Sequence, residues 1–181
     1  VIGLWDPGVL RIGDTLCEGA PITYEGVPRF SPELFVRVRM MDPSRRKQMK
    51  AGLEQLSEEG AVQLFLDRGR MEREPVLGAV GALQFEVTKQ RLASEYGVTV
   101  DFERMSVQHA RWVEGEDLDL DRFDRPPRTS CLMDVEGRPL VLFAGDWDLK
   151  MALKDHPNLR FIEAVQPGRR LEARRFRARG S

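Results

Sequence analysis

Between Ser31 and Met105 the chain spells one unit twice, and that repetition limits its fold more than any other feature. Leu34, Val36, Val38 and Met40 alternate with Phe35, Arg37 and Arg39, the period of a half-buried strand. Asp42 and Pro43 then supply an N-cap and a first-position proline. Met49, Leu53 and Leu56 follow at helical spacing, and Gly60 offers a left-handed stop. Val62, Leu64 and Leu66 form the next strand face. The order recurs with Pro75 to Val80 as strand, Ala82 to Tyr96 as helix, Gly97 as stop, and Val98, Val100 and Phe102 as strand. Ser57-Glu58-Glu59-Gly60-Ala61-Val62 and Ser94-Glu95-Tyr96-Gly97-Val98-Thr99 both read helix end, glycine, strand start, 37 residues apart. Two such units in tandem give β-α-β-β-α-β, an α+β, ferredoxin-like two-layer sandwich with both helices on one face of an antiparallel sheet. The other face would carry Phe35, Arg37, Arg39, Gln63, Phe65, Asp67, Thr99, Asp101 and Glu103, and is expected to be open or docked on something polar.

The second helix is apolar on two sides, with Leu83 and Val87 on one and Phe85, Leu92 and Tyr96 nearly opposite. One side should pack on the sheet, and the other needs a cover. The segment after Met105 is the expected cover, a second and smaller α/β layer. In it Ala110 to Val113 reads as strand, Pro126-Pro127 marks a linker, and Cys131 to Val135 and Leu140 to Phe143 flank a turn at Glu136-Gly137. Asp146 should cap a helix through Leu153, and Leu159 to Val165 should return as strand. Before Arg29, short apolar pairs alternate with turns such as Asp6-Pro7-Gly8 and Glu25-Gly26, the texture of the end of a small β-barrel too short to bury a core alone. The expected organisation is residues 1–29 as truncated barrel end, 30–105 as ferredoxin-like unit, 106–167 as second α/β unit and 168–181 as basic tail.

Composition narrows the function. At 41% hydrophobic and 31% charged residues, with no apolar run near the roughly 20 residues of a membrane helix, a membrane-embedded role is excluded. The last fourteen residues hold six Arg against Glu172, a +5 tail that leaves −6 on the rest. Two cysteines make no disulfide framework and point to a reducing cytoplasm. The start at Val1 suggests a fragment.

Catalytic constellations are not evident. None of the five lysines follows a glycine, so a Gly-x-x-x-x-Gly-Lys-Ser/Thr phosphate loop is missing. Asp134-Val135-Glu136-Gly137 matches the Asp-x-x-Gly pattern of GTPases but sits at an expected hairpin turn. Asp117, Asp119 and Asp121 open like a calcium loop, yet Arg122 and Arg128 occupy the positions that need Gly and Glu. His109 and His156 stand apart from cysteines and read as structural. Gly78-Ala79-Val80-Gly81 lacks dinucleotide-loop spacing, and its small residues are better explained by close packing.

The residues left over carry a resemblance. Ile12-Gly13-Asp14-Thr15-Leu16, Phe30-Ser31-Pro32-Glu33-Leu34-Phe35, Lys47-Gln48, the run Gly52 to Gln63, the run Gly78 to Val87, Arg91 to Tyr96 and Ala110-Arg111-Trp112-Val113 together resemble the C-terminal part of the bacterial peptide chain release factor 3 family of translational GTPases. The resemblance implies a cytoplasmic, monomeric factor of translation termination that binds the small ribosomal subunit through rRNA. It acts only indirectly on the class I release factor, which it displaces after peptide release. GTP and magnesium would belong to an N-terminal domain, so this chain alone should not hydrolyse GTP, and no catalytic, cofactor or metal residues are expected in it. Arg37 and Arg39 on the sheet, and Arg45, Arg46, Lys47 and Lys50 at the first helix, are the expected rRNA contacts, since arginine forks onto phosphates. Cross-strand pairing with Asp101 or Glu103 is the competing use of Arg37 and Arg39. Alternatives are a fragment of an elongation factor G-like GTPase, or a free-standing ferredoxin-like domain that regulates or oligomerises.

Overall fold

The computed structural model describes residues 3, 5, 16–20, 22, 28–67, 74–116 and 118–165. The expected barrel strands before Arg29 fall almost entirely outside these residues, as does Asp117, and the basic tail falls wholly outside them.

The described fold is α+β. Its elements in chain order are β1 (Arg29–Phe30), β2 (Leu34–Met40), α1 (Arg46–Glu58), β3 (Gln63–Asp67), β4 (Val76–Ala79), α2 (Ala82–Tyr96), β5 (Val100–Arg104), β6 (His109–Glu114), β7 (Thr129–Asp134), β8 (Pro139–Phe143), α3 (Asp146–Asp155), β9 (Arg160–Ile162) and β10 (Ala164–Val165). Eight strands form one antiparallel sheet in the order β5-β2-β4-β3-β7-β8-β6-β9, while β1 pairs separately with β10. The first four stand in the order the β-α-β-β-α-β reading requires. Alternation puts Val36, Val38, Leu64 and Leu77 on the helix side, where they meet Met49, Leu53 and Leu56 of α1 and Phe85 and Leu92 of α2.

Local signals explain the ends of these elements. Gly97 closes α2 at φ 63°, and Gly60 follows α1 at φ 75°. At the start of α2, where Gly81 has no side chain to offer, Gln84 Oε1 accepts from the amides of Val80 (3.0 Å) and Gly81 (3.1 Å). Asp42 does cap, but its carboxylate takes the Ser44 amide at 2.9 Å to start a 3-10 turn at Pro43–Arg45, so α1 proper begins only at Arg46. Asp146 does not cap α3: Gly145, which has no side chain, holds the cap position, and Asp146, the first helical residue, turns its carboxylate to His109 Nε2 at 2.6 Å. Expected as one strand, Leu159 to Val165 is broken at Glu163 into β9 and β10.

The second half does not cover α2. It joins the first half edge to edge, with Phe65, Leu66 and Asp67 of β3 opposite Asp134, Met133 and Leu132 of β7. The sheet then curls, so that the face expected to be open is closed at one end: Phe35, Phe65 and Val76 form a core with Trp112, Leu132, Leu140 and Leu142. Phe35 and Phe65 pack tilted, ring centroids 6.0 Å apart. On the far side Val113, Val141 and Phe143 pack under α3. Leu83 and Val87 consequently stay exposed on the outer side of α2.

Close packing is visible at one glycine of the Gly78–Gly81 stretch. A Cβ at Gly78 would lie 2.4 Å from Pro32 Cγ and 2.9 Å from Phe65 Cε2, whereas one at Gly81 meets nothing. A proline ring and a buried phenylalanine cannot swing aside. Gly78→Ala is therefore expected to destabilise the fold by about 1–3 kcal/mol and Gly81→Ala to leave the core packing untouched, measured as urea midpoints.

Candidate nucleic-acid interface

Arg37 and Arg39 are held on β2 by opposing carboxylates. Arg37 Nη1 lies 3.2 Å from Asp67 Oδ2 and 3.6 Å from Glu74 Oε2. Arg39 Nη2 reaches Glu103 Oε2 at 2.6 Å, and its Nη1 pairs with Glu74. The Glu103 hydrogen bond is the main cause that raises the Arg39 pKa above its usual range. Cross-strand pairing is thus realised with Glu103, whereas Asp101 pairs with Lys89 at 3.3 Å. Two guanidiniums face three carboxylates, so this part of the sheet holds little surplus charge for a polyanion.

The first helix presents the opposite situation. Arg45, Arg46, Lys47 and Lys50 are all exposed, and the first turn of α1 has no acidic residue. At 100° per residue Arg46, Lys47 and Lys50 span an arc of roughly 100° beside the buried stripe. Lys50 Nζ stands 3.9 Å from Glu54, a loose pair. Among the described residues Arg45 and Lys47 form no ion pair, although the Arg45 charge, after the bonds from Ser44, helps to hold the Asp42 carboxyl below its usual range. Cations at a helix start oppose the macrodipole, so helix stability does not account for them.

A further set of cations was not legible as a group. Where the two halves of the sheet meet, a cleft of about 240 Å³ is lined by Arg104, Arg128, Ser106 and Thr129, with Arg37 and Glu103 also present. The guanidinium carbon of Arg128 lies 5.0 Å from the centre of the Trp147 ring, which is 57% exposed. Arg104 and Arg128 are 24 positions apart in the chain, and only the curl of the sheet brings them together.

The other sequence motifs have internal uses. Asp134 is buried and accepts from Arg138 Nε at 2.7 Å, so its Asp-x-x-Gly pattern organises a turn. Asp119 takes the Asp121 amide at 3.2 Å. His109 holds Asp146, whose carboxyl it keeps below the usual range, and His156 packs 4.8 Å from the Phe123 ring. No group of three metal-ligating side chains exists among the described residues, and the sequence contains no phosphate loop. These residues do not fit a GTP and magnesium site.

Residues 24–153 match the family model described as class II release factor RF3, C-terminal domain. The chain belongs to that family. It is 45% identical over 166 residues to the peptide chain release factor 3 of Symbiobacterium thermophilum, covering 92% of this chain and 31% of that protein. Similar values hold for the peptide chain release factor 3 of Nostoc punctiforme, at 45% identity with 92% and 31% covered, and of Microcystis aeruginosa, at 46% with 92% and 30%. The chain therefore spans about a third of the length of the curated relatives it matches.

Proposed function

We propose that these residues form the ribosome-engaging part of a release factor 3-type GTPase, which works in the cytoplasm and promotes dissociation of class I release factors after termination. In this reading the α1 cluster docks on rRNA of the small subunit, the protein acts as a monomer, and GTP and magnesium are handled by another part of such a factor. The observation that carries it is the exposed basic arc of Arg45, Arg46, Lys47 and Lys50, with no acidic residue in the first turn of α1, in a chain of this family. A domain stiffened by three cores suits a lever, since a rigid body passes on displacement without absorbing it.

Binding to isolated small subunits tests it across a salt series. Every cation withdrawn from a phosphate takes about 0.7–0.9 off the log-log slope. Replacing Arg45, Arg46 and Lys47 together by alanine is expected to weaken binding and flatten the slope by about 2–3. An unchanged slope overturns the α1 assignment. The self-associating alternative draws on the exposed Val80, Leu83 and Val87. Light scattering that finds a concentration-dependent dimer without subunit affinity would put that reading first.

A further inference from the structure

We propose that the cleft between the two halves of the sheet takes one nucleotide of single-stranded RNA, its phosphate between Arg104 and Arg128 and its base on Trp147. The proposal deepens the ribosome-binding reading and rests on it for the source of the RNA. Three observations converge on one ligand chemistry.

The first is charge. Of the charged residues lining the cleft, Glu103 is held by Arg39, and Arg37 by Asp67 and Glu74, so those groups largely cancel. Arg104 and Arg128 remain, and among the described residues neither has an ion pair. Two uncancelled guanidiniums on one cleft call for an anion with several oxygens, which a phosphate supplies.

The second is the aromatic ring. Trp147 adds nothing to the core under α3, which is built from Val113, Phe123, Val141, Phe143 and Ala152. It stays 57% exposed with Arg128 at 5.0 Å. A guanidinium against an indole holds the ring in place and leaves the rest of its surface for stacking, the arrangement by which proteins grip unpaired bases. The neighbouring carboxylate of Asp146 is engaged by His109 Nε2 at 2.6 Å. Asp148 also stands in the first turn of α3.

The third is size and lining. About 240 Å³ is the scale of a single nucleotide, and Ser106, Thr129 and Ser130 among the lining residues bring hydroxyl donors and acceptors to its neighbourhood. A peptide of acidic side chains alone would satisfy the arginines but offers no flat ring to the exposed indole.

The test uses the full chain and a short, labelled, single-stranded oligoribonucleotide followed by anisotropy. Trp147→Ala is expected to weaken binding about 5- to 100-fold, with Trp147→Phe retaining most of the affinity. Arg104→Ala and Arg128→Ala should each lower the salt slope by about 0.7. All of these side chains are on the surface, and unchanged melting temperatures confirm that the variants fold. Equal binding by wild type and Trp147→Ala, equal loss in the Phe and Ala variants, or equally strong competition by polyglutamate would overturn the proposal. Parallel titration of small subunits separates the two readings. If wild type and Trp147→Ala bind subunits alike while the Arg45/Arg46/Lys47 variant does not, the cleft is wrong and the ribosome reading stands. If wild type binds the oligoribonucleotide through Trp147 but no subunit, the cleft stands and the ribosome reading falls.

Discussion

Asp134→Ala is expected to lower the unfolding free energy by about 3–5 kcal/mol, because it strands a buried cation. The Asp134 and Arg138 side chains are each 2% exposed and lie 2.7 Å apart. The same carboxylate accepts the Glu136 amide at 2.9 Å, the Arg138 amide at 2.8 Å and the Trp112 indole N–H at 3.2 Å. Those amides shape the turn from β7 to β8, where Gly137 takes φ 78°. Without the carboxylate the guanidinium keeps its ion pair with Glu136 at 3.2 Å but loses its main counter-charge, and two turn amides and an indole lose their acceptor. Adding Arg138→Met to Asp134→Ala is expected to recover part of the loss, because an apolar pair carries no desolvation penalty. Chemical denaturation of the two variants checks this, and a double variant no more stable than Asp134→Ala would refute the buried-charge account.

The same carboxylate shows how a motif can mislead. Asp-x-x-Gly is a plausible phosphate sensor by pattern and also a good tight turn, since Asp bonds backbone amides ahead of it and Gly tolerates positive φ. Only the burial of Asp134 and its bond to Arg138 decide between the two uses. Along the chain, local chemistry was legible. The alternation of Leu34 to Met40 and the Ala82 to Tyr96 helix with its Gly97 stop stand where the periodicities put them. So does the strand order of the first half, because handed β-α-β connections leave few topologies.

What the periodicities could not supply was the partner of an edge. Val62, Leu64 and Leu66 declare which face of β3 is apolar and say nothing about which strand bonds its free side. That depends on backbone groups every residue shares. With β7 taking that edge, the sheet could curl onto itself and leave α2 bare at Leu83 and Val87. Composition misjudged the opposite sheet face for a related reason. Its mixture of Phe35 and Phe65 with Arg37, Arg39 and Glu103 averages to a polar surface, yet the structure sorts it by position. Its aromatic part enters a core, and its charged part forms an ion-pair network. The candidate site divides along the same line. The α1 arc is contiguous in sequence and visible there, while the cleft of Arg104 and Arg128, with Trp147 against Arg128, is assembled by the curl and has no linear signature.

If the curl makes the two halves one body, its central residue should control both. Trp112 is fully buried in the core that Phe35, Phe65 and Val76 from the first half share with Leu132, Leu140 and Leu142 from the second. Trp112→Ala is expected to cost about 3–5 kcal/mol, with the cavity setting the value. Trp112→Phe should cost less, losing mainly the bond to Asp134, about 1–3 kcal/mol for an acceptor left buried and short of a donor. The shape of the transition tells more than its midpoint. Helix content reports chiefly on the first half, through α1 and α2, and a fluorophore on the exposed Cys17 is a poor choice because it lies far from either core in sequence. Hydrogen exchange of the amides of β2 and β8 serves better, since those strands lie in different halves but border the shared core. Wild type is expected to protect both strands with the same opening free energy, one cooperative unit. In Trp112→Ala the two values should separate, with β8 opening first because the smaller half retains only the core under α3. Protection that falls equally in both strands would mean that the β3–β7 ladder, and not the shared core, joins the halves.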